Sequence, residues 1–267
     1  MTDAYYLQVG EGRFLATGHT VGPWSDGVQH MGPPSALLAR AMQLCQPRED
    51  TALAKLTVDI LGPVPRAELE VRASVLRPGR TIELVGAEIS VGGTVAARAS
   101  GWRLVVADTA AVAGGAPEPM PPPDAGHELP LPEGWVVDGY LRSIEWRWLH
   151  GWWGDQGPGS AWARPKFDLV AGEPTDGLCR LLTVADSASG MSARLSPTRW
   201  LFPNTDLTVH VHRAPQGEWV GMQAQTVIGP SGAAVTTAVL HDLNGPVASS
   251  AQILTVRTRQ GTQATVG

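Results

Sequence analysis

Asp186 is the side chain in this sequence whose setting most asks for a reason. It lies in Leu178–Met191, LCRLLTVADSASGM, where Leu178, Leu181, Leu182 and Ala185 recur at helical spacing. The polar residues Thr183, Ser187 and Ser189 are small, so one helix enclosed over most of its circumference is expected. A carboxylate there is costly to bury unless it is hydrogen-bonded or has a task. Two readings follow. Asp186 is a base whose pKa is raised by burial, or a structural acid that bonds its own backbone or ends a helix. Taken alone, the segment favours the structural reading.

The other chemical candidates are weaker. Gln29 and His30 stand in a Gly- and Pro-rich loop before an apolar run. They could touch a ligand, although a loop histidine more often caps or faces solvent. His150 lies among Trp146, Trp148, Trp152 and Trp153, which reads as packed aromatic surface. His210 and His212 share one face of a strand, but no Asp, Glu or Cys at ligand spacing joins them, so no metal is expected. Asp206 opens the same strand and reads as structural. Arg213 and Arg257 could meet phosphates, but arginines at strand ends are usually solvated. The sequence lacks GxSxG, GxxxxGK[ST] and a GxGxxG after a strand, which removes the serine-elbow hydrolase and common nucleotide-binding readings.

Something must position these groups, and the composition supports a real core. The 267 residues are 43% hydrophobic and 17% charged with a net charge of −5, so neither disorder nor a nucleic-acid surface is expected. No apolar run is long enough to span a membrane. The opening residues, MTDAYYLQVGEGRF, lack a basic stretch followed by an apolar one, so no secretory signal is expected. Cys45 and Cys179 form no CxxC and read as buried thiols in a reducing compartment, the cytoplasm. Six of the ten tryptophans fall between 135 and 162, so that region must pack aromatic surface against something.

Element by element, Arg13–Thr20 reads as a strand and residues 22–34 as a loop. Ser35–Cys45 reads as a helix apolar nearly all round, hence interior. Strands follow at Ala54–Ile60, Glu68–Leu76, Ile82–Val91 and Val95–Val106, with hairpin turns at Arg77–Arg80 and Gly92-Gly93. Residues 109–134 are rich in proline and glycine and read as a linker. The second half repeats the outline. Ile144–Leu149 and Ala161–Asp168 are strands, Leu178–Met191 the helix, and Leu207–His212, Trp219–Val227, Ala233–Asp242 and Val247–Arg257 the later strands.

The repetition is visible in the letters. LTVDILGPVPRAELEVRASVLRPG from Leu56 lines up with LTVHVHRAPQGEWVGMQAQTVIGPSG from Leu207, and VAARASGWRLVV from Val95 with VASSAQILTVR from Val247. Two copies of one α+β unit are therefore expected, residues 1–108 and 135–267, joined by the linker.

A duplicated unit of one apolar helix and a four-strand meander resembles the double hotdog of the acyl-CoA thioesterase II family and its thioesterase-like relatives. The carriers are QHMGPPSALLARAM, LTVDILGPV, LLTVADSASG, NTDLTVHVHRAPQGEW and VASSAQ, and they extend from about Phe14 to about Arg257. The resemblance implies an acyl-CoA substrate, hydrolysis to a free acid and coenzyme A, no cofactor or metal, and a homo-oligomer. Charge and hydropathy already give no nucleic-acid or membrane partner to expect. The resemblance also implies one site per chain, in the second repeat, where an Asp, a hydroxyl and a Gln surround a water. The acid falls on Asp186 and the Gln on Gln252. The hydroxyl position falls on Asn204, a departure. Either the Asn204 amide orients the water or the adjacent Thr205 supplies the hydroxyl. In the first repeat Ser100 stands where Gln252 stands, with Ser35 or Ala36 at the helix position nearest Asp186. Gln29, His30 and Gly32 are expected to touch substrate, and the helix starts at Gly32–Ser35 and Thr175–Leu178 each offer backbone donors for an oxyanion. The His and Asp motif of the hotdog dehydratases is absent.

Overall fold

The computed structural model describes residues 3–153 and 155–259. In the first half, β1 (Ala4–Gly10) and β2 (Arg13–Ala16) precede α1 (Gly32–Leu44), followed by β3 (Thr51–Ile60), β4 (Glu68–Arg77), β5 (Ile82–Val91) and β6 (Thr94–Val105). The second half opens with β7 (Ile144–His150), β8 (Gly159–Pro165) and β9 (Asp168–Val170). Then come α2 (Gly177–Ala185), α3 (Ala188–Met191), β10 (Trp200–Leu201), β11 (Asp206–Val211), β12 (Val220–Ile228), β13 (Ala233–Asp242), β14 (Gly245–Thr255) and β15 (Arg257–Thr258).

Among the described residues, thirteen strands form one sheet in the order β7-β8-β12-β13-β14-β11-β3-β6-β5-β4-β2-β1-β9. Apart from β9, the order is a palindrome, with β7 and β8 corresponding to β1 and β2. The two units are the α+β double hotdog that the resemblance implied, each a sheet around its own helix. They meet where β3 and β11 pair antiparallel, and again where β1 and β9 pair in parallel, with Tyr6 opposite Val170. Thr57 lies opposite Thr208, their hydroxyls 3.3 Å apart. Those threonines are also equivalent in the internal repeat, so the local two-fold passes between them.

That register corrects one expectation. Ser100 lies opposite Thr57 and Ala251 opposite Thr208, so Ser100 matches Ala251, and Gln252 matches Gly101. Asn204 bridges Leu254 as Leu53 pairs with Arg103, so Asn204 matches Leu53. A Cβ on Gly101 would come 2.8 Å from Leu53 and 3.4 Å from Met42. Met42, rather than Ser35 or Ala36, is the α1 residue packed at that point. The first repeat holds apolar packing where the second holds an acid and two amides.

Several elements differ from expectation; the expected strand Ala161–Asp168, for one, divides into β8 and β9. Helix α1 begins at Gly32, with Pro33 and Pro34 inside its first turn, where missing N–H groups cost nothing. Its buried face runs continuously from Gly32 to Ala39 and on to Met42. The expected helix 178–191 breaks at Asp186–Ser187. Asp176 caps its start by accepting from Cys179 N at 2.9 Å. At its end Ser187 N turns back to Val184 O, and the Asp186 carbonyl accepts from Gln252 Nε2. The expected strand Arg13–Thr20 stops at Ala16, because Thr17 Oγ1 accepts from His19 N and starts a short 3-10 turn.

The proline-rich stretch is partly docked. Met120 is buried, Pro121 O accepts from Trp162 Nε1, and His127 exchanges backbone hydrogen bonds with Trp148. The tryptophans of the second half pack on one another: the Trp153 ring lies edge-on to Trp146 and Trp148 at 4.9 and 5.0 Å.

Candidate active site

Asp186 sits where α2 ends and the start of α1 faces it from the first repeat. Its side chain is 6% exposed. Oδ1 accepts from Asn204 Nδ2 at 2.8 Å and from Gln252 Nε2 at 2.9 Å. The backbone N–H of Met31, at the α1 N-cap, faces the carboxylate and favours its charged form. Oδ2 lies 3.4 Å from His30 Nδ1. Burial raises the Asp186 pKa from 3.8 to about 6, against the lowering effect of Asn204, Met31 N–H and Gln252. The acid is therefore mostly ionised at neutral pH yet able to take a proton.

His30 is neutral. Burial lowers its pKa to about 3, and its ring stacks on Tyr140 with centroids 3.7 Å apart and planes 6° apart. Nδ1 accepts from Gly32 N at 3.1 Å, so the ring proton is on Nε2. Tyr140 is itself fixed: its hydroxyl donates to Thr183 O at 2.8 Å and lies 2.7 Å from Ser187 Oγ. Sequence reasoning missed Tyr140, which carries no motif and comes from the loop before β7.

The remaining candidates sort by what they touch. Asn204 Nδ2 divides its hydrogens between Asp186 and Asp206 O, the latter at 3.1 Å, so the amide orients the acid. Thr205 is exposed and does not line the cavity. Gln29 borders the cavity, but its amide is committed, accepting from Tyr6 OH at 2.7 Å and donating to Pro65 O at 2.8 Å. Gly32 permits close approach: a Cβ there would lie 2.1 Å from Thr183 O. Gln252 is buried, and its Oε1 has no partner among the described residues.

The expected backbone donors are not available. Gly32 N is spent on His30, Pro33 and Pro34 have none, and Ser35 N bonds Met31 O. The start of α2 is far from Asp186 in its helix and is closed by Asp176. Arg213 is held by Asp242 in a two-pronged pair at 2.7 and 2.6 Å, whereas Arg257 is exposed at the cavity rim. Asp206 accepts from Ile253 N, the structural role expected. His210 and His212 gather no third metal-ligating side chain among the described residues, and His150 is exposed at the end of β7.

Asp186, Asn204, Ser187 and His30 open on a cavity of about 450 Å³. Its deep walls are Leu141, Trp153 and Phe202, all buried, and its mouth carries Trp24, Leu61 and Arg257. A buried acid held by two amides, beside a neutral imidazole and under an apolar chamber, is equipped to accept a proton from a nucleophile while excluding bulk water.

Solved structures similar to this chain share its fold. A hot dog fold protein of unknown function from Alicyclobacillus acidocaldarius is 13% identical, with a TM-score of 0.75 and coverage of 92% of this chain and 93% of that one. An acyl-CoA thioesterase II, TesB2, from Mycobacterium marinum is 15% identical, with a TM-score of 0.69 and coverage of 96% and 97%. A tesB protein from Mycobacterium avium subs paratuberculosis is 17% identical, with a TM-score of 0.66 and coverage of 94% and 95%. No curated protein matches the sequence significantly. Residues 20–104 match the acyl-CoA thioesterase N-terminal domain and residues 123–256 the acyl-CoA thioesterase C-terminal domain. Matched over both repeats in order, the chain belongs to the acyl-CoA thioesterase family.

Proposed function

We propose that the protein hydrolyses an acyl-CoA thioester to the free acid and coenzyme A, with Asp186 as the base. The observation that carries this reading is the Asp186 carboxylate, which is buried and raised to a pKa of about 6. Its Oδ1 is saturated by Asn204 and Gln252 while Oδ2 remains for a water. Gln252 does not line the cavity and acts on that water through Asp186, whose Oδ1 it holds. The water oxygen attacks the thioester carbonyl carbon and its proton passes to Asp186 Oδ2. The neutral His30 Nε2–H donates to the oxyanion, the task of a low-pKa imidazole. Collapse breaks the carbon–sulfur bond, and the proton on Asp186 goes to the departing thiolate. Arg257 at the rim is the cation suited to the phosphates of coenzyme A.

The test incubates pure protein with a panel of acyl-CoAs and a thiol reagent, beside Asp186→Asn. Release of free coenzyme A that falls a hundredfold or more in the variant supports the reading, since general-base catalysis contributes about 10²–10⁴-fold. Saturable binding without release would sink it and leave an acyl-thioester-binding protein, to which the loss of the family hydroxyl at Asn204 points.

A further inference from the structure

We infer that the acyl group taken by this cavity is compact and aromatic rather than a long straight chain; the inference rests on the hydrolase reading of the site. Its chamber is walled by rings that touch in series. Phe202 meets Trp24 edge-on at 5.2 Å, Trp24 stacks on Trp135 at 6.1 Å, and Trp135 tilts against Trp153 at 6.0 Å. Trp153 closes the far end. Behind it Trp146 and Trp148 are 6% and 2% exposed and hold it edge-on, so among the described residues the chamber is backed there by packed indoles. Its ring edge also lies against Gly190, where a Cβ would come within 3.1 Å.

Such walls discriminate by more than area. An alkyl chain gains burial from them but must freeze several rotors to fit. A flat ring has fewer rotors to freeze. It also presents its own edge and face to fixed indoles, the arrangement in which aromatic pairs gain beyond burial. Two such contacts favour the ring by about tenfold.

The experiment compares acyl groups of equal carbon count on the full-length protein. The kcat/KM for phenylacetyl-CoA should exceed that for octanoyl-CoA by about tenfold or more, and palmitoyl-CoA should be poorer than either. A non-hydrolysable pair, S-phenethyl-CoA and S-octyl-CoA, should show the same order as competing ligands, measured by quenching of tryptophan fluorescence. Trp135→Leu should bring the phenylacetyl-to-octanoyl ratio close to one, mainly by loss of the aromatic substrate. Phe202→Leu serves the same purpose if Trp135→Leu does not fold. Octanoyl-CoA used as well as phenylacetyl-CoA, or a ratio unmoved in the folded variants, overturns the inference and leaves hydrolysis standing. Failure to release coenzyme A from any thioester sinks the hydrolase reading instead, while the thioether order still decides what the chamber prefers.

Discussion

Asp186 is held in a form that costs the fold at neutral pH. Raising its pKa from 3.8 to about 6 corresponds to roughly 3 kcal/mol against the charged form. Because the folded value lies above the unfolded one, the stabilising contribution is full below about pH 4 and is lost as pH rises through about 6. Asp186→Asn does not titrate, so its Tm relative to wild type should rise by several degrees between pH 4 and 7, while hydrolysis falls. A constant Tm difference across that range would mean that the acid is not raised. His30 has the opposite sign: its value is lowered to about 3, so its contribution is full above its ordinary value and is lost as pH falls towards 3. The comparison must therefore be made as a difference between variants. A second expectation concerns rate. The acid limb of kcat/KM should fall near pH 6, and Asn204→Ala, which removes a donor from Oδ1, should move that limb upward. A structural Asn204 would change amplitude without moving the limb. The candidate acid was legible because a carboxylate interrupts an apolar helical pattern. Gln252 and Asn204 were legible only through family resemblance, since nothing in their own strands marks an amide as facing an acid 66 and 18 residues away. Tyr140 was not legible at all, because its contact with His30 is set by how a loop closes.

At the scale of elements, the site depends on how closely α1 and α2 approach. Gly32 lies where a Cβ would meet Thr183 O at 2.1 Å. Gly32→Ala must push the start of α1 away from α2 and carry His30 and Met31 N–H away from Asp186. We expect a loss of about 2 kcal/mol or more in urea unfolding and a fall in kcat, while Gly114→Ala, with no atom within 4 Å of its added Cβ, changes neither. Equal behaviour of the two variants would show that the helices are free to adjust. Periodicity located both helices and the long strands, but not the break at Asp186–Ser187. That break arises from tertiary partners, Gln252 on the Asp186 carbonyl and Tyr140 on Ser187, which compete with continuation of the helix. The short β1 was missed as well; its edge is satisfied by β9 from the other repeat, a pairing that local patterning does not encode.

Over the whole molecule, the two copies differ at the proposed site: the second holds an acid and two amides there, and the first holds packing. The positions matching Asn204 and Gln252 hold Leu53 and Gly101, with Met42 filling the space. A polar site there would lose that burial and gain nothing without an acid. The first repeat nonetheless supplies His30 and the Met31 N–H to the site of the second. The halves therefore meet at the candidate site as well as at the β3–β11 and β1–β9 pairings. The internal repeat was legible in the letters, but this division of labour required the register across the local two-fold. One consequence can be tested in solution. Because the sheet is continuous and α1 and α2 share one core, the repeats should unfold together. Tryptophan fluorescence reports chiefly on the second half, which holds Trp146, Trp148, Trp153 and Trp162 in its core, whereas far-ultraviolet circular dichroism reports on both. The two urea transitions should coincide in midpoint and slope. An earlier fluorescence transition, with dichroism lost in two steps, would show instead that each hotdog unit is stable alone and that the shared site is assembled by docking.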